Sequence, residues 1–200
     1  MLGLVNHQAT RHVIPLATLP AMAFDWGGLK LAAQAQIERV VREVAQERPA
    51  DPIYGAIFHN FYADGTVLRW PSLAIGTDQT LTEVLLTYGP EFAGQDSATA
   101  LRWSGADLTL GEVAPGDGED AWAEATLAEA NRRGTEAHWN RTYKRYERTF
   151  ATAAKAARST LVKDGVVGRE FIALAMDEQM LLVPLSLTAT QLRTHFPELG

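Results

Sequence analysis

Two long stretches of the chain carry apolar residues at steps of three and four positions, the spacing of one face of a helix. The first predicted helix covers residues 26–48, with Asp25 as its cap and Pro49 as its stop. The second covers residues 136–163, and Gly165 follows it where a left-handed residue closes a helix. The apolar stripe of the second helix consists of Trp139, Tyr143, Tyr146, Phe150, Ala153, Ala157 and Leu161. Both patterns predict amphipathic helices that pack on a core.

Segments rich in β-branched and aromatic residues predict the strands. Residues 53–62 and 66–75 are separated by an Asp-Gly pair, which is typical of a hairpin turn. The first segment is apolar on both faces, which predicts a central strand, whereas Pro71 places the second at an edge or a bulge. Residues 97–103 are interpreted as a third strand, and residues 168–186 supply one or two more.

Three shorter helices complete the prediction. Residues 80–89 open with a capping-box pair, Thr80 and Glu83, and close at a glycine. A loop at 112–118 leads to an alanine-rich helix at 119–133, and Thr188 caps a helix that ends the chain.

These elements predict one α+β domain over residues 25–200, preceded by an N-terminal extension of residues 1–24. An antiparallel or mixed sheet of about four to six strands carries the packed helices.

Composition and charge narrow the function classes. Hydrophobic residues make up 46% and charged residues 21% of the chain, as in globular domains. The absence of cysteine excludes disulfides and cysteine nucleophiles and is typical of a reducing cytoplasm. No apolar run is long enough to span a bilayer, so we expect a cytoplasmic protein that does not bind membranes. The net charge is −6 and neither half of the chain is basic, which disfavours a nucleic acid partner.

No catalytic motif occurs in the sequence. There is no nucleotide-binding glycine loop, and no two of the five histidines have the spacing of metal ligands. Ser104 lacks the nucleophile-elbow pattern and is interpreted as a helix cap, while the preceding Trp103 is expected to be mostly buried. We therefore predict no catalytic residue, metal or cofactor. An enzyme whose site combines His59 with Asp107 or Glu124 remains an alternative.

Acidic side chains between residues 107 and 129 form the most strongly charged part of the sequence. Their spacing does not fit an EF-hand. A basic protein partner is the favoured ligand because complementary charge speeds association and sets specificity. The predicted partner-binding residues are Asp107, Asp117, Glu119, Asp120 and Glu124. A basic face formed by Arg141, Lys144, Arg145 and Arg148 is interpreted as solvated and paired with Glu147 or with acidic helices.

The segment LRWSGADL, an acidic helix, the long helix and the segment GVVGREFIALAMDEQ follow one another in an order that resembles a bacterial domain-of-unknown-function family of small α+β proteins. The similarity covers about residues 29–197. The matching positions are Arg102, Trp103, Ser104, Asp107, Gly165, Gly168, Arg169, Glu170 and Asp177. The chain departs from that pattern with Val167 in place of a turn phenylalanine and Leu108 in place of an aromatic residue.

The resemblance implies a small α+β fold and no activity that can be assigned to particular residues. Such proteins are similar in size and style to bacterial immunity proteins, including SUKH-type ones, which neutralise a toxin by binding it. Together with the acidic charge, this leads us to expect a non-catalytic protein-binding domain. A structural or regulatory dimer that associates through an apolar patch is the alternative, besides the enzyme.

Overall fold

The computed structural model describes residues 23–89, 95–108, 110–113 and 115–199. Within these residues the chain forms seven α-helices and four strands, and a short 3-10 turn, Pro197–Leu199, ends it. The strands are β1 (Ile53–His59), β2 (Ser72–Thr77), β3 (Leu110–Val113) and β4 (Ile172–Ala175). The helices are α1 (Trp26–Glu47), α2 (Asp78–Tyr88), α3 (Gln95–Arg102), α4 (Asp117–Asn131), α5 (Glu136–Lys163), α6 (Val183–Ser186) and α7 (Ala189–His195). The predicted α+β class is confirmed.

The four strands form one mixed sheet in the order β3-β2-β1-β4. Strand β1 pairs antiparallel with β2 and parallel with β4, so that Ala56 lies between Ile75 and Ala173. Strand β3 adds only two paired positions, which are separated by a register shift. The continuous part of the sheet is therefore three strands wide, which is smaller than the predicted range. The prediction that β1 is central and covered on both faces is confirmed, since its residues 54–58 are all buried.

One face of the sheet is covered by the two long helices. Phe58 of β1 and Ile75 of β2 point to this face and belong to the same buried cluster as Ile37 of α1 and Phe150 of α5. Helix α5 has the predicted bounds, and α1 ends one residue before the predicted position. Gly165 has a φ of +70°, the left-handed conformation predicted at the end of α5. We call this side of the sheet the long-helix layer.

The opposite face is covered by short elements. Ile57, Ala74 and Leu174 point to it and form a second buried cluster with Trp103 and Phe196. These two aromatic residues directly follow α3 and α7, and α6 contributes Val183. We call this side the short-helix layer.

The prediction of a third strand at residues 97–103 is wrong, because Gln95–Arg102 is helix α3. Alternating apolar and polar residues suggested a strand, yet alanine, leucine and arginine are all strong helix formers. Leu101 is buried while Thr99 and Ala100 are exposed, so this segment packs one side of a helix on the sheet.

The second strand starts later than predicted. Residues 60–71 form a loop whose tip turns at the predicted Asp-Gly pair, where Ala63 bridges to Leu68. Trp70 donates a 2.8 Å hydrogen bond to the buried side chain of Gln36, and this contact draws the loop into the core away from the strand. Strand β2 lies between β1 and β3, so the predicted edge position is wrong, whereas the predicted alternative of a bulge agrees with the register shift between Leu73 and Ile75. Pro71 precedes the first ladder position.

Several other helices and strands begin or end at residues that differ from the predicted ones. Helix α2 begins at Asp78, capped by Thr77 and Thr80, and not by the predicted pair of Thr80 and Glu83. Part of the predicted loop at 112–118 is strand β3, and helix α4 starts and ends two residues earlier than predicted. Residues 183–186 form helix α6 and not a second strand, because Pro184 fits a first helical turn and cannot donate to a ladder. The predicted Thr188 cap of α7 is confirmed.

Candidate functional site

An open cleft of about 890 Å³ lies in the short-helix layer, where the parallel strands β1 and β4 end. Met176, which follows β4, donates a 2.8 Å hydrogen bond from its backbone to Phe58 of β1 and forms part of the cleft wall. In sheets with parallel strands, ligands bind in crevices beyond the carboxyl ends of those strands. The position of the cleft therefore makes it the first candidate site.

Trp103 forms the floor of this cleft. Its side chain is 5% exposed, so the prediction that Trp103 is mostly buried is confirmed. The ring packs on the backbone of β1 at Gly55, where an added Cβ would lie 3.1 Å from it. The rings of Tyr54 and His195 meet it edge to face at 5.6 and 5.4 Å. Trp103 thus ties α3 and α7 to the sheet and at the same time lines the cleft.

Arg102 is held beside the cleft by Tyr54. The guanidinium lies 3.9 Å from the centre of the Tyr54 ring, and the Tyr54 hydroxyl donates a 3.0 Å hydrogen bond to the Arg102 carbonyl. Burial raises the pKa of Tyr54, so its hydroxyl stays protonated. Arg102 also lies 3.8 Å from Asp78, a partly exposed pair that contributes little to stability.

Asp107 stands at the rim of the cleft as a fixed anion. The hydroxyls of Ser104 and Tyr88 both donate to its carboxylate, which raises the pKa of Tyr88. The interpretation of Ser104 as a helix cap is wrong, because it closes a turn after α3 that leads towards β3. Since its hydroxyl donates to Asp107 and not to His195, these residues do not have the arrangement of a serine nucleophile with its base.

The other wall of the cleft contains His195 and Met180. Burial, and then the nearby Arg102, lower the pKa of His195 against an opposing effect of Glu170, so the ring is neutral at pH 7. Met180 has a φ of +56°, a left-handed conformation that costs a residue other than glycine about 1–3 kcal/mol. Asp177 stabilises this loop because its side chain accepts a 2.9 Å hydrogen bond from the backbone N–H of Leu182.

The structure separates the five predicted partner-binding residues. Asp107 lies in the short-helix layer, whereas the other four are on α4, which packs in the long-helix layer through Ala123. Glu119 turns inward, where it accepts a hydrogen bond from Gly116 and lies 3.6 Å from Arg39. Glu119 therefore stabilises the start of α4, and the remaining acidic residues form the exposed surface.

Asp117, Asp120 and Glu124 are exposed on one side of α4, and we call these three residues the acidic face. Their spacing of three and four positions places them in line. None of the three forms an ion pair within the described residues, whereas Glu129 further along α4 pairs with Arg132 and lies 3.5 Å from His138. The acidic face thus presents carboxylates that the described part of the fold does not neutralise.

A second charged surface lies on α5. Four exposed residues, Arg141, Lys144, Arg145 and Arg148, form what we call the basic stripe. They line a groove of about 520 Å³ together with Trp26, and the Arg145 guanidinium lies 4.5 Å from the centre of the Trp26 ring. The predicted ion pairs with Glu147 or acidic helices do not form in the described part of the chain. Glu147 is half-buried and hydrogen-bonded to Tyr143 instead.

The enzyme alternative combines His59 with Asp107 or Glu124. His59 lies at the end of β1, where its ring would clash with a Cβ at Gly105 in the short-helix layer. Glu124 is in the other layer, so the pair of His59 and Glu124 does not form. Among the described residues, no group of three or more histidine, aspartate or glutamate side chains is placed to hold a metal ion.

No helix in the same residues combines the length and apolar character that crossing a membrane requires.

No known family model, curated protein or solved structure matches this chain.

Proposed function

We propose that the protein is a non-catalytic binding domain that recognises a basic protein partner through the acidic face of α4. The observation that carries this proposal is the set of three exposed carboxylates, Asp117, Asp120 and Glu124, without ion pairs in the described residues. Such charges steer a partner of opposite sign to the surface and disfavour other partners. The predicted residue Asp107 lies in the other layer, so it does not belong to this surface.

The acidic face is carried by a rigid support. Helix α4 buries Ala123, Thr126 and Ala130 in the long-helix layer, and Thr126 donates a hydrogen bond to the backbone of the preceding turn. Partners that meet a pre-formed surface lose less entropy on binding. Asp117 and Asp120 lie in the first turn of α4, where negative charges stabilise the positive end of the helix macrodipole. Glu124 lies beyond the first turn, where this stabilisation has faded. The position of Glu124 therefore favours a role outside the helix itself.

The toxin-immunity part of the proposal rests on the resemblance of about residues 29–197 to a bacterial domain-of-unknown-function family, whose members are similar in size and style to immunity proteins. In this reading the protein acts in the cytoplasm, which agrees with a chain that has no cysteine. The partner is then a basic toxin domain whose surface the acidic face covers.

Capture from an extract of the source organism tests this proposal. The immobilised wild-type protein is compared with a triple variant, Asp117→Lys, Asp120→Lys and Glu124→Lys. A control triple variant, Glu47→Lys, Glu83→Lys and Glu170→Lys, changes exposed acidic residues elsewhere and shifts the net charge by the same amount.

We expect a basic protein that the wild type and the control retain and the acidic-face variant loses. Equal retention by all three proteins, or no protein that distinguishes them, would contradict the proposal.

A dimeric scaffold is the second candidate, and exposed apolar residues beside the cleft favour it. Leu181 is 65% and Leu185 45% exposed, and both follow the strained Met180 in the chain. Exposed apolar groups of this kind often mark contact surfaces. Sedimentation velocity over a wide concentration range tests this candidate, which predicts a dimer that Leu181→Ser and Leu185→Ser dissociate. A monomer at every concentration contradicts it.

A further inference from the structure

We propose that the basic stripe of α5 and its groove bind a single-stranded nucleic acid, with the phosphates on Arg141, Lys144, Arg145 and Arg148. This inference does not depend on the proposed partner of the acidic face. The two surfaces use different residues and attract opposite charges.

The basic stripe gathers four positive charges within eight positions of one helix. All four side chains are exposed, and none forms an ion pair within the described residues. Like charges three and four positions apart on a helix repel one another. A bound anion would relieve this repulsion.

The acidic groups nearest to the stripe are already engaged. Among the described residues, Glu129 is the acidic side chain that lines the groove, and it accepts hydrogen bonds from Arg132 at 2.7 and 3.0 Å. Glu147, on α5 itself, is half-buried and hydrogen-bonded to Tyr143, and it interacts electrostatically with Lys144 and Arg148 without forming an ion pair. The four cations of the stripe therefore outnumber the acidic groups beside them.

The basic stripe is a straight row of charges. A helix rises 1.5 Å per residue, so positions 141–148 form a row about 10 Å long on a rigid rod. Three of the four residues are arginines, whose planar guanidinium groups can bind phosphate oxygens in a bidentate manner. A row of this kind suits a ligand that repeats its charge along a line, as a nucleic acid backbone does.

A flat surface beside the charges favours a nucleic acid over an acidic peptide. The Arg145 guanidinium lies over Trp26 at 4.5 Å, and Phe24 packs against the same indole with ring centres 4.6 Å apart. Unpaired bases stack on aromatic rings and on arginine planes, and this contact is independent of base sequence. The aspartate and glutamate side chains of an acidic peptide have no ring for such stacking.

The net charge of the whole chain predicts that the protein does not bind nucleic acid. At physiological salt, charges more than about 8 Å apart are largely screened from one another. A strand in the groove would therefore respond to the four nearby cations more than to the total of −6.

Fluorescence anisotropy with a labelled single-stranded RNA of about 20 nucleotides tests the inference, with DNA of the same sequence as a second probe. We expect the slope of log Kobs against log salt to be about −3, close to −0.7 for each of four phosphates. A quadruple variant, Arg141→Gln, Lys144→Gln, Arg145→Gln and Arg148→Gln, should bind at least about 30-fold more weakly at low salt. A control variant, Lys155→Gln, Lys163→Gln, Arg169→Gln and Arg193→Gln, removes the same charge from exposed positions and should bind as the wild type does.

Arg145→Lys probes the stacking surface separately. It keeps the charge and removes the planar guanidinium, so we expect several-fold weaker binding at an unchanged salt slope. The acidic-face triple variant should bind RNA at least as tightly as the wild type, which separates this inference from the proposed function.

Four outcomes overturn the inference. The first two are no RNA binding by the wild type at micromolar concentration, and an equal loss of RNA affinity in the control quadruple variant. The third is an unchanged RNA affinity of Arg145→Lys. The fourth is a labelled poly-glutamate of similar length that binds as tightly as RNA through the same four residues. The last outcome would identify an acidic protein as the ligand.

Discussion

The two layers that cover the sheet are built on different principles. The long-helix layer uses α1 and α5, whose buried faces continue over many turns, and its core includes the ring cluster around Phe150. The short-helix layer uses α3, α6 and α7, and it is fixed by single anchors such as Trp103. This layer leaves an open cleft of about 890 Å³ beside Trp103, its main aromatic anchor.

The difference extends to the surface that each layer offers to a ligand. The long-helix layer presents the acidic face and the basic stripe, two sets of charges on rigid helices. The short-helix layer presents an open cleft whose lining combines the apolar Trp103 and Met176 with the charged Arg102, Asp107 and Glu198. The first layer thus offers charges on the surfaces of α4 and α5, and the second offers a recess of mixed polarity.

If the long-helix layer dominates stability, Phe150→Ala should have the largest effect. Phe150 is fully buried, and its ring contacts those of Trp70, Tyr146 and Phe58 at centroid distances of 4.8, 4.9 and 5.0 Å. Loss of such a ring costs about 3–5 kcal/mol of unfolding free energy. Urea denaturation measures it, with exposed Leu86→Ala as the control, and a loss below about 1 kcal/mol would contradict this ranking of the layers.

Trp103→Ala should cost less than Phe150→Ala, about 3 kcal/mol, although tryptophan is the larger side chain. The ring borders an open cleft, so solvent and the flexible Met176 and Met180 can fill part of the space. The same denaturation experiment measures this value, and Trp103→Phe should recover part of it. A larger loss for Trp103→Ala than for Phe150→Ala would reverse the comparison.

Individual hydrogen bonds that hold the short-helix layer to the sheet should each contribute measurably to the unfolding free energy. The Ser186 hydroxyl is buried and accepts a 3.0 Å hydrogen bond from the backbone of Ala175 in β4. Ser186→Ala leaves that donor without its partner and should lower the unfolding free energy by about 1–2 kcal/mol. Ser159→Ala, at an exposed position of α5, is the matched control and should have almost no effect. Equal losses of unfolding free energy for Ser186→Ala and Ser159→Ala would show that single hydrogen bonds are no more important in the short-helix layer than in the long-helix layer.

The pH dependence of stability should contain a small contribution from the short-helix layer. Burial lowers the pKa of His195 in the folded protein, so the unfolded chain takes up its proton at higher pH. The unfolding free energy should therefore fall as the pH drops from about 7 through the unfolded pKa of about 6.5 towards the folded value. His195→Gln should flatten this decline in urea denaturation at several pH values. An unchanged pH profile would contradict the assigned environment of His195.

Sequence patterns predicted the long-helix layer better than the short-helix layer. The apolar periodicity of α5 extends over 28 residues, so one or two residues that break the pattern do not change the prediction of a helix. Helix α3 has eight residues, too few to distinguish the helical period from the alternation of a strand. The burial of Trp103 was still predictable, because a large aromatic side chain rarely remains exposed.

The candidate surfaces depended on contacts that a sequence does not contain. Asp107 and Asp120 are close in the chain, yet the sheet separates them into different layers. Glu119 resembles its acidic neighbours until the fold turns it towards Gly116 and Arg39. Glu147, by contrast, is hydrogen-bonded to Tyr143 four positions earlier on α5, a contact that helix spacing alone allows.

The central claim is that the acidic face of α4 binds a basic protein. Isothermal titration of the captured partner into the wild type, the acidic-face triple variant and the control triple variant tests it most directly. The account predicts a Kd at least about tenfold higher for the acidic-face variant, and one within about twofold of the wild type for the control. Equal Kd values for all three proteins would contradict it.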